Sequence, residues 1–343
     1  MKTAVNFKIR ICQPTGCPFK NSKKEQRLTM TIKCKKCSTP SIIYQPYSGL
    51  HLCEKHFYED LERKAKLTLR QRYPIKKNDV IAVALSGGKD SSVALLLMHK
   101  IFGNRPDIRI VAITIDEGIA GYRNESIARA KELTARLGIE HIVKSFREEY
   151  GKTMDDITSE KKLMENHFGD EKKELGACSY CGVLRKKILN VVARDIGATK
   201  LVIGHNLDDE AQTVMLNHFR GDVERMVRFS AANELDGFIV RVKPLRKIPE
   251  KEIALYAYLH DLPMELTSCP HSFGALRKEV RRMLNGFEVN HPGTKYSLVR
   301  GFDNMVPLLA AGLEVSDIRN CEICGEPCND SICQACKMLE KSI

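Results

Sequence analysis

The chain has 343 residues, of which 55 are Lys or Arg and 43 are Asp or Glu, so its net charge is +12. With 43% hydrophobic residues, it is long enough for two or three domains with buried cores and is not a wholly disordered chain. No apolar run approaches the roughly 18 residues of a membrane helix. The N-terminus has no apolar stretch typical of a signal peptide, so we expect a cytoplasmic protein without membrane contact. The positive charge favours a nucleic acid or another polyanion as partner.

The thirteen cysteines are clustered, which in a cytosolic chain favours metal binding over disulfides. Residues 1–33 form a basic arm whose Cys12 and Cys17 receive no assignment. Residues 34–57 carry the pattern C-x2-C, fifteen residues, then C-x2-H, which predicts a structural zinc finger because four soft ligands complete a tetrahedral site. The predicted ligands of this first zinc are Cys34, Cys37, Cys53 and His56.

A second zinc finger is predicted at the C-terminus, in residues 319–343. The pattern there is C-x2-C, eight residues, then C-x2-C, which is typical of a compact zinc knuckle. The predicted ligands of this second zinc are Cys321, Cys324, Cys333 and Cys336. Cys328 lies between the two pairs, and we interpret it as a spare thiol.

Between these modules, residues 58–78 predict a charged linker helix at Tyr58–Tyr73, and residues 79–252 predict alternating strands and helices. The predicted strands are Val80–Leu85, Ile108–Ile115, Ile142–Val143 and Lys200–Ile203. A helix between the second and third strands is expected to end at Gly138. This alternation indicates an α/β fold with a parallel, doubly wound sheet. Residues 160–176 are polar and predicted to be mobile, and residues 253–318 predict a basic helical region.

The most specific motif is the loop Ser86–Ser92, with the sequence SGGKDSS, which follows the first strand and opens a helix. Glycines let the backbone approach an anion, and the amides and dipole of the helix start then hold it. Lys89 adds a mobile positive charge, and Ser91 and Ser92 add hydroxyl donors. The loop predicts phosphate binding, but it lacks the G-x4-G-K spacing of a Walker loop.

A second polar stretch, Gly204–Ala211, follows the fourth strand. In a doubly wound sheet this is the carboxyl edge, where ligands bind. Its acids Asp208, Asp209 and Glu210 would hold Mg²⁺, or they are ordinary residues of a helix start. The residue types leave both interpretations open.

Cys178 and Cys181 form a lone C-x2-C pair, and Cys269 is the remaining cysteine of the middle of the chain. Three converging thiolates suit an iron–sulfur cluster with one iron left open. Alternatively, Cys178 and Cys181 form a redox pair that acts through a persulfide or disulfide. The third interpretation is two cysteines at a helix start and one buried cysteine.

Together these motifs resemble the PP-loop ATP pyrophosphatases and, more closely, the TtcA/TtuA family of tRNA thiolases. The resemblance is strongest to the branch that thiolates the wobble uridine, the cytosolic tRNA 2-thiolation proteins of the archaeal NcsA type. It extends from Cys34 to about Leu339. Besides the motifs above, it includes Ile115–Ile119, Gly121–Arg123, Tyr150–Gly151, Thr153–Asp155, Arg220–Asp222 and Lys243–Pro244.

The resemblance implies that ATP and Mg²⁺ are bound, that the uridine C2 oxygen is adenylated, and that pyrophosphate leaves. The residues that it implies for ATP are Ala84, Ser86, Gly87, Gly88, Asp90, Ser91, Ser92, Ile115, Gly204 and Asp209. Lys89 would stabilise the developing phosphate charge, and Asp90 would position the nucleotide or metal, or act as a base.

The resemblance also implies that Cys178, Cys181 and Cys269 hold a [4Fe-4S] cluster that delivers sulfur to C2. A persulfide on Cys181 or Cys269 is the alternative sulfur carrier. The implied partners are tRNA, a second copy of the chain in a homodimer, and a sulfur donor that is either sulfide or a thiocarboxylated ubiquitin-like protein. T-loop thiolases carry a histidine at Thr114 and a lysine at Arg185, so both departures favour the wobble branch.

Four basic residues crowd one predicted helix, namely Arg277, Lys278, Arg281 and Arg282. They contact tRNA phosphates, or they form a solvated helix face, and the sequence favours neither. Two other functions are compatible with these motifs. One is thiolation of another tRNA base, a T-loop uridine or a cytidine, and the other is a non-catalytic zinc protein that binds tRNA and senses ATP.

Overall fold

The structure is a computed structural model that describes residues 32–160, 176–221, 223–231, 239–265, 267, 269–271, 276–312 and 319–340. Most of the predicted N-terminal arm and most of the segment predicted to be mobile lie outside the described residues. The description begins with an antiparallel hairpin, β1 (Ile43–Gln45) and β2 (Leu50–Leu52), which lies within the predicted first zinc finger.

The centre of the fold is a parallel five-stranded sheet, as the sequence predicts. Its strands are β3 (Val80–Ala84), β4 (Arg109–Asp116), β5 (Glu140–Ser145), β6 (Lys200–Val202) and β7 (Val240–Val242). Their order in the sheet is β5-β4-β3-β6-β7. The order reverses between β3 and β6, so the crevice at their carboxyl ends is the expected ligand position of a doubly wound fold. Four of these strands were predicted, and β7 was not.

Twelve helices occur in the described part of the chain. They are α1 (Glu54–Arg72), α2 (Lys89–Phe102), α3 (Arg123–Leu137), α4 (Phe146–Tyr150), α5 (Met154–Glu160), α6 (Ala177–Asp195), α7 (Leu207–Arg220), α8 (Val223–Ala231), α9 (Glu250–Leu259), α10 (Leu276–Asn290), α11 (Thr294–Ala311) and α12 (Gln334–Glu340). A short ribbon of β8 (Arg319–Asn320) and β9 (Pro327–Cys328) precedes α12.

The observed end of α3 agrees with the sequence prediction, whereas the observed start of α1 does not. Helix α3 ends at Gly138 in the left-handed conformation with φ 63°, as predicted. Helix α1 begins at Glu54 rather than at the predicted Tyr58, so His56 lies in its first turn. The predicted domain boundaries stay predictions, and α9 crosses the one placed between residues 252 and 253.

The uninterrupted apolar sequence of β3 reflects burial on both faces of the sheet. Ile81 and Val83 pack on the face covered by α1, α2 and α9, whereas Ala82 packs on the face covered by α6. Successive side chains of a strand point to opposite faces, so a strand between two helical layers must be apolar at every position. Two smaller apolar clusters lie among α7, α8, α10 and α11. Within the described residues, no helix has the length and apolar character that a membrane span requires.

A buried guanidinium joins the sheet region to the helical region. Arg246 donates to Glu210 at 2.8 Å and makes two bonds to Asp303, at 2.5 and 2.7 Å. Arg246 is 3% exposed, so its charge depends on these two carboxylates for compensation. The bonds connect the segment after β7 to α7 and α11.

Replacing this guanidinium is expected to destabilise the fold. Arg246→Met should lower the free energy of unfolding by about 3 kcal/mol, because it removes the buried cation that Glu210 and Asp303 share and leaves these acids only Lys243 and Arg72. The matched control is Arg109→Met, which removes a half-exposed pair with Glu140 and should cost less than about 1 kcal/mol. Urea unfolding followed by circular dichroism measures both. Equal losses for the two variants would contradict the role of Arg246.

Candidate nucleotide and thiol site

The loop Ser86–Ser92 connects β3 to α2 at the carboxyl edge of the sheet, as predicted. Its conformation depends on internal bonds, since the Ser91 hydroxyl accepts from the Ser86 amide at 3.1 Å and donates to the Gly88 carbonyl at 3.0 Å. Gly87 has φ +82°, and a Cβ there would lie 2.0 Å from the Ser126 carbonyl oxygen. No other residue fits this turn, so the loop passes directly against the start of α3.

The loop after β6 closes the other side of the crevice. A Cβ on Gly204 would lie 2.8 Å from the Ser91 amide nitrogen, so glycine is needed where the two loops meet. Asn206 donates from Nδ2 to Asp90 at 2.9 Å and forms a capping box with Asp209 at the start of α7. The predicted pairing of these two motifs is therefore present in the structure.

Three helix starts meet at this crevice, those of α2, α7 and α9. Lys89, in the first turn of α2, donates to Asp90 at 2.9 Å and to Glu250, in the first turn of α9, at 2.8 Å. The Glu250 amide donates to Asp208 of α7 at 2.8 Å. Since each helix start carries partial positive charge, the crevice favours an anion such as a phosphate.

Burial and neighbouring charges raise the pKa of one carboxyl group in the crevice, that of Asp209. Burial, together with the charges of Asp90 and Glu250, raises the pKa of Asp209 to about 6, although bonds from Asn206 and the charge of Arg277 oppose the shift. A cation would relieve this crowding, which agrees with the predicted Mg²⁺.

Cys178, Cys181 and Cys269 lie close enough for their charges to interact, but their three sulfurs do not all lie within 4.8 Å of one another, as the ligand atoms of each terminal cysteine module do. The Cys178 thiol donates to the His271 carbonyl at 3.6 Å, two residues beyond Cys269. Burial, together with Glu117 and the two other thiols, raises the pKa of Cys181 to about 12 against the opposing charge of Arg185. The pKa of Cys269 is also raised, mainly by burial. Such thiols ionise when a metal replaces the proton, so the donor set fits an iron–sulfur cluster.

The segment that carries Cys269 also touches the phosphate loop. The Glu265 amide donates to the Gly87 carbonyl at 2.9 Å, and Glu265 forms a parallel bridge with Gly88. Because consecutive Cα atoms are 3.8 Å apart, the Cα of Cys269 lies within about 15 Å of the Cα of Glu265. At the far end of the segment, His271 contacts Asp155 at 2.6 Å.

A buried ion network forms a second connection between loop and thiols. Glu117 is 2% exposed, and its carboxylate lies 2.6 Å from Arg123 and 3.2 Å from Arg185. Arg123 donates to the carbonyls of Ser86, at 3.1 Å, and Ile115. Arg185 in turn lies close enough to Cys181 to influence its charge. The single carboxylate of Glu117 therefore positions two guanidiniums, that of Arg123 at the loop and that of Arg185 at the thiols.

A group of cations extends from Arg185, near Cys181, over α6 and α8 to the end of β7. Burial and the positive charges of Arg241, Arg185, Arg225 and Lys243 lower the pKa of Lys186 to about 8. Glu117 and Glu210 compensate part of this positive charge, because they pair with Arg185 and Lys243. The sequence analysis missed this group, because its members are scattered over the 59 residues of the chain from Arg185 to Lys243.

The remaining predicted ATP residues have mixed surroundings. Ala84 and Ile115 lie at the carboxyl ends of adjacent strands, where the prediction requires them. Ser92 is fully buried, and its hydroxyl has no hydrogen-bond partner among the described residues. Its contact with ATP, like the other predicted contacts, stays a prediction.

The first cysteine module brings its four predicted ligands together. Their ligand atoms all lie within 4.8 Å of one another. His56 Nδ1 is 3.3 Å from the sulfurs of Cys34 and Cys53, and its Nε2 lies 3.9 Å from Glu59. Burial opposes ionisation of the Cys34 thiol, but hydrogen bonds from neighbouring backbone amides outweigh this effect and lower its pKa to about 6. This geometry fits a tetrahedral zinc with an oriented histidine.

The second module shows the same convergence for Cys321, Cys324, Cys333 and Cys336, again within 4.8 Å. The sulfurs of Cys324 and Cys333 are 3.6 Å apart. The Cys328 thiol instead donates to the Asp330 carbonyl at 2.9 Å, in agreement with a spare thiol.

Comparison with known proteins agrees with this site. A PP-loop domain model matches residues 57–285, and a model of the N-terminal LIM domain of 2-thiouridine synthetase TtuA matches residues 33–58. The tRNA 2-thiolation protein NcsA of Haloferax volcanii is 37% identical, and the match covers 90% of this chain and 98% of that one. The tRNA-5-methyluridine(54) 2-sulfurtransferase of Pyrococcus horikoshii is 33% identical, covering 91% and 96%.

A solved structure is similar over almost the whole chain. It is the U34-tRNA thiolase NcsA of Methanococcus maripaludis with its [4Fe-4S] cluster, which is 36% identical with a TM-score of 0.78. The match covers 91% of this chain and 97% of that one. The chain belongs to the PP-loop family of TtuA- and NcsA-type tRNA thiolation proteins.

The two cysteine modules are expected to hold one zinc ion each. Purified protein should contain about two zinc ions per chain, and Cys53→Ser or Cys333→Ser should reduce this to about one, because three thiol or imidazole ligands leave the tetrahedral site incomplete. Cys328→Ser is the matched control and should retain both ions. Elemental analysis by mass spectrometry measures the content. Loss of zinc from the Cys328 variant alone would contradict the proposed ligand set.

Proposed function

We propose that this chain is an ATP-dependent enzyme that converts the wobble uridine of tRNA to 2-thiouridine. The observation that carries the proposal is the juxtaposition of a phosphate loop with three thiols, joined by the segment from Glu265 to His271 and by the Glu117 network. An activating nucleotide and a sulfur source must both reach the same carbon, so the two sites have to be neighbours.

The first step is activation of uridine. The C2 oxygen attacks the α-phosphorus of ATP, the bond from that phosphorus to pyrophosphate breaks, and the N3 proton passes to Asp90 or Asp209. Amides of the loop and the start of α2 hold the phosphates. Lys89, fixed by Asp90 and Glu250, stabilises the charge that develops on the leaving oxygens. Mg²⁺ would neutralise phosphate charge beside these carboxylates.

The second step exchanges oxygen for sulfur. A sulfur nucleophile attacks C2, and the bond from C2 to its oxygen breaks, so that AMP leaves with the original oxygen atom. Cys178, Cys181 and Cys269 would hold a [4Fe-4S] cluster, which when bound supplies sulfur as the nucleophile. Arg185, held by Glu117, balances negative charge beside Cys181. The sulfur donor is either sulfide or a thiocarboxylated ubiquitin-like protein.

The cation group around Lys186 supports tRNA as the substrate. Arg185 connects this group to Cys181, because its charge acts on both Lys186 and that thiol, and the group can bind phosphates that flank the target nucleotide. RNA bases outside helices are recognised in pockets between such contacts. The proposal includes a homodimer, because the resemblance to NcsA-type proteins implies that two copies of the chain associate.

Two residues favour the wobble position over the T-loop. Thr114 occupies the position of a T-loop histidine, and its buried hydroxyl donates to the Leu85 carbonyl at the start of the phosphate loop, at 2.7 Å. Arg185 occupies the position of a T-loop lysine. The solved relative from Methanococcus maripaludis, described as a U34-tRNA thiolase, supports the same choice.

Two variants separate the two steps. Asp90→Ala should abolish pyrophosphate release while retaining iron, because it removes the carboxylate that contacts both Lys89 and Asn206. Cys269→Ala should lose iron and 2-thiouridine but retain tRNA-dependent pyrophosphate release. Both are measured on anaerobically reconstituted protein with sulfide and a tRNA transcript, and Cys328→Ala is the control that should thiolate normally. Full 2-thiouridine formation by either test variant would refute the proposed mechanism.

The target position is tested with the same assay. Nuclease digestion and mass spectrometry should find the sulfur at position 34, and a transcript with cytidine at 34 should gain none. Sulfur at uridine 54 would support the T-loop alternative, which the relative from Pyrococcus horikoshii exemplifies. Tight tRNA binding without pyrophosphate release would support the non-catalytic alternative.

A further inference from the structure

The basic residues of α10 do not form one surface. Arg277 and Arg281 are one turn apart and face the nucleotide crevice, where both contact carboxylates. Arg282 lies on another side of the helix and lines an apolar groove with Phe219 and Met283. The sequence interpretation treated these residues as a single tRNA contact or a solvated face, and neither describes the first pair.

Arg281 completes a chain of alternating charges that starts in the phosphate loop. Its Nη2 lies 2.6 Å from one oxygen of Glu250, whose other oxygen accepts from Lys89 at 2.8 Å. Lys89 also binds Asp90 at 2.9 Å. Glu250 therefore fixes two cations side by side at the mouth of the loop.

Arg277 occupies an equivalent place above the start of α7. Its guanidinium donates to the Thr213 hydroxyl at 2.8 Å and lies 3.4 Å from Asp209. The side chains of Arg277 and Arg281 are 44% and 51% exposed, respectively. A guanidinium has five N–H donors, so each retains donors that can reach a ligand in the crevice.

We propose that Arg277 and Arg281 bind the β- and γ-phosphates of ATP and stabilise pyrophosphate as it leaves. The proposal rests on the ATP use proposed above. When the bond from the α-phosphorus to its bridging oxygen breaks, its electron pair and negative charge pass to pyrophosphate. Two planar guanidiniums and Lys89 then face the oxygens that gain this charge, and the carboxylates hold them there before ATP arrives.

The position of α10 also gives this pair a second consequence. Helix α10 begins at Leu276, seven residues after Cys269, so the residues proposed for the terminal phosphates follow one of the thiols closely in the sequence. The phosphates of ATP and the sulfur site are thus held by one continuous stretch of chain.

The test measures ligand binding rather than thiolation. Arg277→Ala and Arg281→Ala should each weaken α,β-methylene-ATP and pyrophosphate about 10-fold or more, since each loses charge-assisted hydrogen bonds. AMP lacks the two outer phosphates, so its affinity should change less than about twofold. Arg281→Lys should bind the analogue with intermediate affinity, because it keeps the charge but not the fork. Arg282→Ala is the matched control and should bind the analogue normally.

Affinity for tRNA distinguishes the alternatives. It should stay within about twofold in both test variants, and circular dichroism confirms that these half-exposed substitutions leave the protein folded. Unchanged affinity for the analogue and pyrophosphate, with weaker tRNA binding, would overturn the inference and leave the proposed function standing. Failure of the unsubstituted protein to bind the analogue would instead overturn both.

Discussion

The buried carboxylate of Glu117 is the constraint on which the rest of the site depends. It lies between two guanidiniums, Arg123 at the phosphate loop and Arg185 at the thiols. A buried charge needs compensation, and here one acid receives it from two sides. A buried polar network therefore links the phosphate loop to the helix that carries Cys178 and Cys181.

The fold could be predicted from the sequence because its signals are local. The apolar run of β3, the turn SGGKDSS and the glycine that ends α3 each express a single physical requirement within a few residues. The cysteine modules are equally local, since a C-x2-C pair already places two sulfurs on one side of a turn. Short strands were predicted less evenly, since β6 was predicted and the equally short β7 was not.

The site was only partly predictable, because several of its contacts join distant parts of the chain. Glu250 meets Lys89 across 161 residues, and Arg281 meets Glu250 across 31. The sequence alone does not distinguish Arg277 and Arg281 from their neighbour Arg282, because helical spacing does not reveal which face of the helix contacts a carboxylate. From the residues alone, a cluster of Cys178, Cys181 and Cys269 was one of three interpretations, and the resemblance then favoured it. The structure adds a contact from Cys178 to the carbonyl of His271, two residues beyond Cys269.

The C-terminal module packs against the same helix that carries two of the thiols. Lys187 of α6 approaches the sulfur of Cys336 at 3.6 Å, Arg194 pairs with Glu326, and Leu184 and Ile188 share an apolar cluster with Cys321 and Met338. Metal binding at such a module contributes directly to folding free energy. Folding of the last residues that the structure describes therefore supports the helix that presents Cys178 and Cys181, so damage to the C-terminal module would be felt at these two thiols.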